Sequence, residues 1–184
     1  MPAVARDKNA FAIWITGLPA CGKSTLTQAL VAQLGERGVD VAVLESDELR
    51  KVLTPQPHYD EQERERFYAQ MNYIGALLVR HGVPVIFDAT ANRRAWREQA
   101  RRNIAHFIEV YVHAPIEVCM ARDPKGIYRQ ARDGEASAVP GLQTQYEPPE
   151  RPDVIVEGDR ETPESAARRV FATLIERGHL PGRG

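Results

Sequence analysis

An α/β sandwich is the fold class that this sequence predicts: a mostly parallel five-stranded sheet with helices on both faces. Three observations carry it. First, five short apolar runs occur at residues 11–15, 39–44, 83–87, 107–112 and 154–156, each of a length that suits a buried strand. Second, helical patterns separate them, and strands alternating with helices imply a parallel sheet covered on both sides. Third, a glycine-rich turn joins the first strand to the first helical stretch, residues 25–34.

The elements follow in order. The first run is followed by Gly17-Leu18-Pro19-Ala20-Cys21-Gly22-Lys23-Ser24 and then Thr25, which fits G-x-x-x-x-G-K-[ST] between a strand and a helix. The glycines let the backbone curl until its N–H groups face a phosphate, and the helix N-terminus adds partial positive charge. Lys23 is placed to reach the β- and γ-phosphates, and the Ser24 hydroxyl to sit on Mg²⁺. The sandwich is therefore of the P-loop NTPase type, with a nucleoside triphosphate as ligand. The clearest helix spans 60–81, where Phe67, Met71, Ile74 and Leu78 recur at i, i+4, i+7 and i+11. Thr162-Pro163-Glu164 reads as an N-cap, a proline at N1 and an acidic first turn. A final helix then runs to about residue 177.

Composition narrows the class. A chain of 184 residues suits one domain with a sizeable core, 1–184, with tails at 1–8 and 179–184 free to be disordered. A net charge of −1 gives no basic field for nucleic acid or an anionic membrane. No run approaches the ~18 apolar residues of a membrane span, and the N-terminus lacks a signal-peptide core, so a cytoplasmic location is expected. Lysine is scarce, at positions 8, 23, 51 and 125, so the two that fall in motifs stand out. Cys21 and Cys119 make no disulfide framework. Cys21 reads as a small loop filler or an oxidation-sensitive thiol, and Cys119 as a core residue.

In such sheets ligands bind beyond the carboxyl ends of the strands. The second strand is followed by Glu45-Ser46-Asp47-Glu48-Leu49-Arg50, and the third by Asp88-Ala89-Thr90-Ala91-Asn92-Arg93-Arg94. Phosphoryl transfer needs a held Mg²⁺ and an oriented acceptor hydroxyl. Asp47 is the candidate base and acceptor-positioning group. Asp88, after four apolar residues and a proline, resembles a Walker B aspartate acting on Mg²⁺. The competing reading of either aspartate is a plain helix cap. Residues 122–150 break the alternation: a basic stretch from Arg122 to Arg132 precedes a Pro-, Gly- and polar-rich tract. A segment this long is functional or a solvated surface loop. Facing a triphosphate it suggests a lid, with Arg122 a candidate ATP contact.

The P-loop, the Asp47-x-x-Arg50 box, Ala121-Arg122-Asp123-Pro124-Lys125-Gly126-Ile127-Tyr128 and Tyr146-Glu147-Pro148-Pro149 resemble the adenylyl-sulfate kinase family, in order and over about residues 9–178. The resemblance implies transfer of the ATP γ-phosphate to the 3′-hydroxyl of adenosine 5′-phosphosulfate, with Mg²⁺ as cofactor and ATP as co-substrate. It carries acceptor contacts onto Arg50, Lys125, Gly126, Ile127 and Tyr128. A stacking aromatic falls on Tyr59 and a following arginine on Arg64. Dimers are common in the family, so a homodimer is allowed.

The chain departs from the family pattern in three places. The usual Asp-Gly-Asp box is Glu45-Ser46-Asp47. The Asn-x-Arg-Arg segment falls on Phe67-Tyr68-Ala69-Gln70, and Phe-Ile-Ser-Pro on Ala89-Thr90-Ala91-Asn92. Arg93, Arg94 or Arg97 could replace the lost charges. At helical spacing the arginines of 93–102 otherwise read as a solvated face. Three alternatives stay open: a related kinase of another nucleotide-linked or small hydroxylated acceptor, a nucleotide-binding module without turnover, and a polynucleotide kinase.

Overall fold

A computed structural model describes residues 10–181; residues 1–9 and 182–184 lie outside the described residues, and so does the expectation of disordered tails there. Residues 179 and 180, which that expectation includes, are anchored to the domain. The His179 N–H returns to the Leu174 carbonyl at 2.8 Å, and Leu180 packs on the core.

In chain order the elements are β1 (Ala12–Thr16), α1 (Lys23–Gly35), β2 (Ala42–Glu45), α2 (Ser46–Leu53), α3 (Glu61–Arg80) and β3 (Val85–Asp88). They continue as α4 (Arg94–Asn103), β4 (Phe107–His113), α5 (Ile116–Arg122), α6 (Ile127–Arg132), β5 (Val154–Glu157) and α7 (Pro163–Glu176). The five strands lie in the order β2-β3-β1-β4-β5, and every pairing is parallel. The predicted architecture is the observed one.

Strand periodicity of two builds the layers. Phe11, Ile13 and Ile15 join Leu26, Leu30 and Leu34 of α1 and Val170 and Leu174 of α7 in one cluster. Ala12 and Trp14 point the other way, into Phe67 and Met71 of α3 and Trp96 and Ala100 of α4. Each fully buried large apolar side chain contributes ~1.5–3 kcal/mol, so the two faces of β1 hold both helical layers. The long helix α3 starts where Asp60 accepts the Glu63 N–H at 2.8 Å. It approaches β3 so closely that a Cβ on Gly75 would lie 2.1 Å from Cζ of Phe87.

Two strands begin later than the apolar runs suggest, for one reason. Val39 returns its N–H to Leu34, and Val83 to Leu78, each at 3.0 Å. Gly38 and Gly82 sit just before them at φ 70° and 84°. These valines close the ends of α1 and α3 in glycine-based C-terminal motifs, so β2 starts at Ala42 and β3 at Val85. The register then aligns Asp88 with Ile15 on one side and Glu45 on the other. Three strands thus end level, and their following residues share one rim.

Candidate active site

A cavity of about 980 Å³ opens along that rim, of the size that holds small-molecule ligands. On its phosphate side it is lined by Pro19, Ala20, Gly22, Lys23, Ser24 and Thr25. Gly17 could not be another residue: it has φ 150°, and a Cβ there would lie 2.3 Å from the Val112 carbonyl oxygen. Gly22 takes φ 111° at the start of α1, a conformation that glycine alone reaches cheaply. Lys23 lies back over the loop, its Nζ donating to the carbonyls of Leu18 at 2.8 Å and Gly17 at 3.2 Å. The ammonium is thereby held within the arc whose N–H groups would wrap a phosphate.

Three loop residues assigned to ATP do not line this cavity. Gly17 and Cys21 pack behind the loop, and Leu18 packs on Gly141 beside a separate groove. Cys21 is fully buried, and desolvation pushes its thiol above the ordinary value. A buried, protonated thiol is inert, which makes Cys21 a packing residue. Arg122 does line the cavity, and its Nη1 donates to the Gly158 carbonyl at 2.9 Å, at the end of β5.

Both aspartates face the same space. Asp88 ends β3, six residues before α4, so it caps no helix. Asp47 lies in the first turn of α2, whose N-cap is Glu45. Its Oδ2 accepts from Nζ of Lys125 at 2.5 Å, and Glu45 stands 3.8 Å from the same ammonium. That hydrogen bond, followed by the two negative charges, raises Lys125 above the ordinary lysine value. Residues 78 positions apart are thus brought together over the cavity mouth. Glu45, longer than the aspartate usual in the family box, reaches towards the same lysine.

The acceptor side is a wall of stacked cations and rings. The Arg50 guanidinium lies 3.9 Å from the Phe67 ring centroid and 5.2 Å from that of Tyr59, and it pairs with Glu63 at 3.2 Å. Arg64 is also buried, and desolvation lowers it from the ordinary arginine value. It donates to the carbonyls of Tyr59 at 3.0 Å and Ala138 at 2.6 Å, and to Oδ1 of Asn92 at 3.1 Å. Tyr59 and Ile127 line the cavity, whereas Gly126 and Tyr128 do not. Gly126 supports the turn into α6 at φ 68°. The Tyr128 ring is fully buried, and its hydroxyl donates to the Pro19 carbonyl at 3.1 Å. The acceptor role assigned to Tyr128 is therefore corrected: an apolar ring on a short helix gains more from the core, and its hydroxyl ties α6 to the P-loop.

The reading of residues 93–102 as a solvated face fails at Arg97. Its side chain is sealed from solvent, pairs with Glu109 at 2.8 Å and donates to the carbonyls of Ala91 and Glu147. Arg94 is committed to the residues around Glu147 and Glu150, and Arg93 to Glu61. None of the three lines the cavity, so none stands where the missing arginine pair would. Sequence reasoning also missed Tyr68, which accepts the Ala91 N–H at 3.0 Å and lines the cavity, and Thr27, which donates to Asp88 at 3.2 Å. Thr27 lies three residues after Ser24 and four after Lys23, a helical spacing that could have revealed it.

The donors facing the cavity suit a hard cation. Ser24, Asp47 and Asp88 offer only oxygen, and no group of three His, Cys, Asp or Glu side chains stands ready to cage an ion among the described residues. Mg²⁺ is held that way, by one or two protein oxygens, phosphates and water.

A P-loop with its lysine, facing two strand-end carboxylates across one cavity, defines a phosphotransferase of the P-loop class. The family model for adenylylsulphate kinase matches residues 9–157, and the chain belongs to that family. It is 39% identical over 168 residues to the adenylyl-sulfate kinase of Microcystis aeruginosa, covering 91% of this chain and 93% of the relative. It is 40% identical over 171 residues to a probable adenylyl-sulfate kinase of Pyrococcus abyssi, covering 93% and 98%. The structure of the Mycobacterium tuberculosis APS kinase CysC in complex with AMPPNP and APS superposes with a TM-score of 0.84 at 29% identity, covering 90% of this chain and 97% of that one. No helix of the described residues is long and apolar enough to cross a membrane.

Proposed function

We infer that this chain is an adenylyl-sulfate kinase, which transfers the γ-phosphate of ATP to the 3′-hydroxyl of adenosine 5′-phosphosulfate. The products are ADP and 3′-phosphoadenosine 5′-phosphosulfate. The observation that carries this reading is the shared cavity, with the P-loop lysine on one side and the Asp47–Lys125 pair on the other, in a chain of this family. The Mycobacterium tuberculosis relative holds an ATP analogue and APS together, which supports the same two substrates here.

In this reading the loop N–H groups and Lys23 bind the β- and γ-phosphates, and Arg122 contributes from the end of α5. Arg50, Tyr59, Arg64, Lys125 and Ile127 hold the acceptor, with Gly126 setting the turn that aims its neighbours. Asp47 accepts the proton of the 3′-hydroxyl as that oxygen bonds to the γ-phosphorus. The bond from the γ-phosphorus to the β–γ bridging oxygen breaks, and ADP leaves. Ser24 and Asp88 are the residues that would hold Mg²⁺, which when bound neutralises phosphate charge. The whole chain acts as one kinase domain, with residues 122–150 as a lid that excludes water. A cytoplasmic location fits this use of ATP.

The test is ADP release from the purified protein with Mg²⁺-ATP, with and without adenosine 5′-phosphosulfate. Acceptor-dependent release is expected. ATP binding without such release, but with release on another nucleotide or a small alcohol, would reassign the acceptor.

A further inference from the structure

Thr27 sits inside α1, buried at 5% exposure, one turn beyond Lys23 and Ser24. Its hydroxyl has two acceptors within reach: the Lys23 carbonyl at 3.0 Å and Oδ2 of Asp88 at 3.2 Å. The first is the ordinary back-bond of a helical threonine. The second joins α1 to the end of β3, 61 residues away. The hydroxyl is shared between the two, and its bond to the carboxylate is of the charge-assisted kind, about twice as strong as a neutral one at equal geometry. Asp88 is itself only 4% exposed, and a carboxylate taken that far from water needs a fixed donor. Among the described residues no hydrogen bond reaches its Oδ1, yet that oxygen is not sealed from solvent, and Asp88 lines the cavity. One carboxylate oxygen is therefore tied to α1 and the other is turned to the cavity. Threonine suits the task because its branched side chain has few rotamers in a helix.

We propose that Thr27 is a positioning residue for Asp88, fixing Oδ2 so that Oδ1 meets the phosphate-bound cation. The proposal rests on the reading of Asp88 given above. Its test is a double-mutant cycle with Thr27→Val, which keeps the shape and removes the donor, and Asp88→Asn. For Thr27→Val, kcat is expected to fall about 10-fold, with the acceptor KM unchanged. The Mg²⁺ concentration for half-maximal rate should rise. Thr27→Ser should restore the rate to within about threefold, since it restores the hydroxyl.

A second readout needs no acceptor. The gain in ATP affinity that Mg²⁺ confers, measured calorimetrically, should shrink in Thr27→Val and stay whole in Thr27→Ser. In the Asp88→Asn background, Thr27→Val should add less than about a twofold loss, because an amide no longer serves the cation and its orientation has nothing left to set. A folded Thr27→Val or Thr27→Ala protein with unchanged kcat and Mg²⁺ dependence, beside a crippled Asp88→Asn, would overturn the role of Thr27 alone. A fully active Asp88→Asn would overturn the reading of Asp88 and the proposal with it.

Discussion

The phosphate side and the acceptor side of the cavity are built in different ways. The phosphate side centres on one continuous stretch, in which Gly17 and Gly22 take conformations closed to other residues and Lys23 bonds to carbonyls five and six positions back. The acceptor side is assembled from four distant pieces of chain. Lys125 reaches Asp47, Arg64 reaches Ala138, and Arg50 lies against Phe67 and Tyr59. Local geometry is fixed by local sequence, so the first kind of site is specified by a motif. The second depends on pairs that only the fold brings together, and it can be rebuilt by changing one partner at a time.

Substitutions should separate the two sides by size of effect. Lys23→Ala removes the ammonium held inside the loop, and kcat should fall by on the order of 10³; a rate near wild type in steady-state assays would remove the P-loop from the mechanism. Asp47→Asn should lower kcat by about 10²–10⁴ as a lost general base, with ATP affinity kept. An equal loss of ATP affinity by calorimetry would move Asp47 to the phosphate side. Lys125→Ala breaks an exposed pair, so a rise of about tenfold in acceptor KM, worth ~1.4 kcal/mol, is expected with ATP KM unchanged.

Two further changes act on the scaffold and leave the comparison as a control. Gly75→Ala forces a methyl group into the Phe87 ring and should cost ~1–3 kcal/mol in urea unfolding, with both substrate KM values preserved in the folded protein. His179 is lowered from its ordinary value of 6.5 by burial, then by His106 and Arg177, and its Nδ1 is buried without a partner among the described residues. A lowered histidine binds fewer protons folded than unfolded. Its contribution is therefore intact above the unfolded value and is lost as pH falls below about 6.5. His179→Gln should flatten the decline in Tm between pH 7.5 and 5.5; an unchanged decline would assign it to other groups.

The sheet, the P-loop helix and the Thr162 cap were legible because each rests on a few adjacent residues. Asp47 and Asp88 were legible as strand-end carboxylates. The starts of β2 and β3 were not, because Val39 and Val83 look like strand residues and are used as helix stops. Arg97 was hidden for a different reason. It adjoins the buried stripe of Trp96 and Ala100, and its partners Glu109 and Glu147 lie 12 and 50 residues away. Tyr128 belongs to a string that the family uses at its substrate, yet here its ring fills the core. Lys125 and Ile127 of that string line the cavity, whereas the Tyr128 ring does not.

The central claim is that the two sides meet in one transfer, from the γ-phosphate of ATP to the 3′-oxygen of the acceptor. The most direct measurement follows a γ-phosphate label from Mg²⁺-ATP in the presence of adenosine 5′-phosphosulfate, then treats the nucleotide product with a 3′-specific phosphatase. Label in a sulfonucleotide that the phosphatase releases as inorganic phosphate is the expected result. Label that stays on ATP or passes only to water, under conditions where both nucleotides bind, would contradict it.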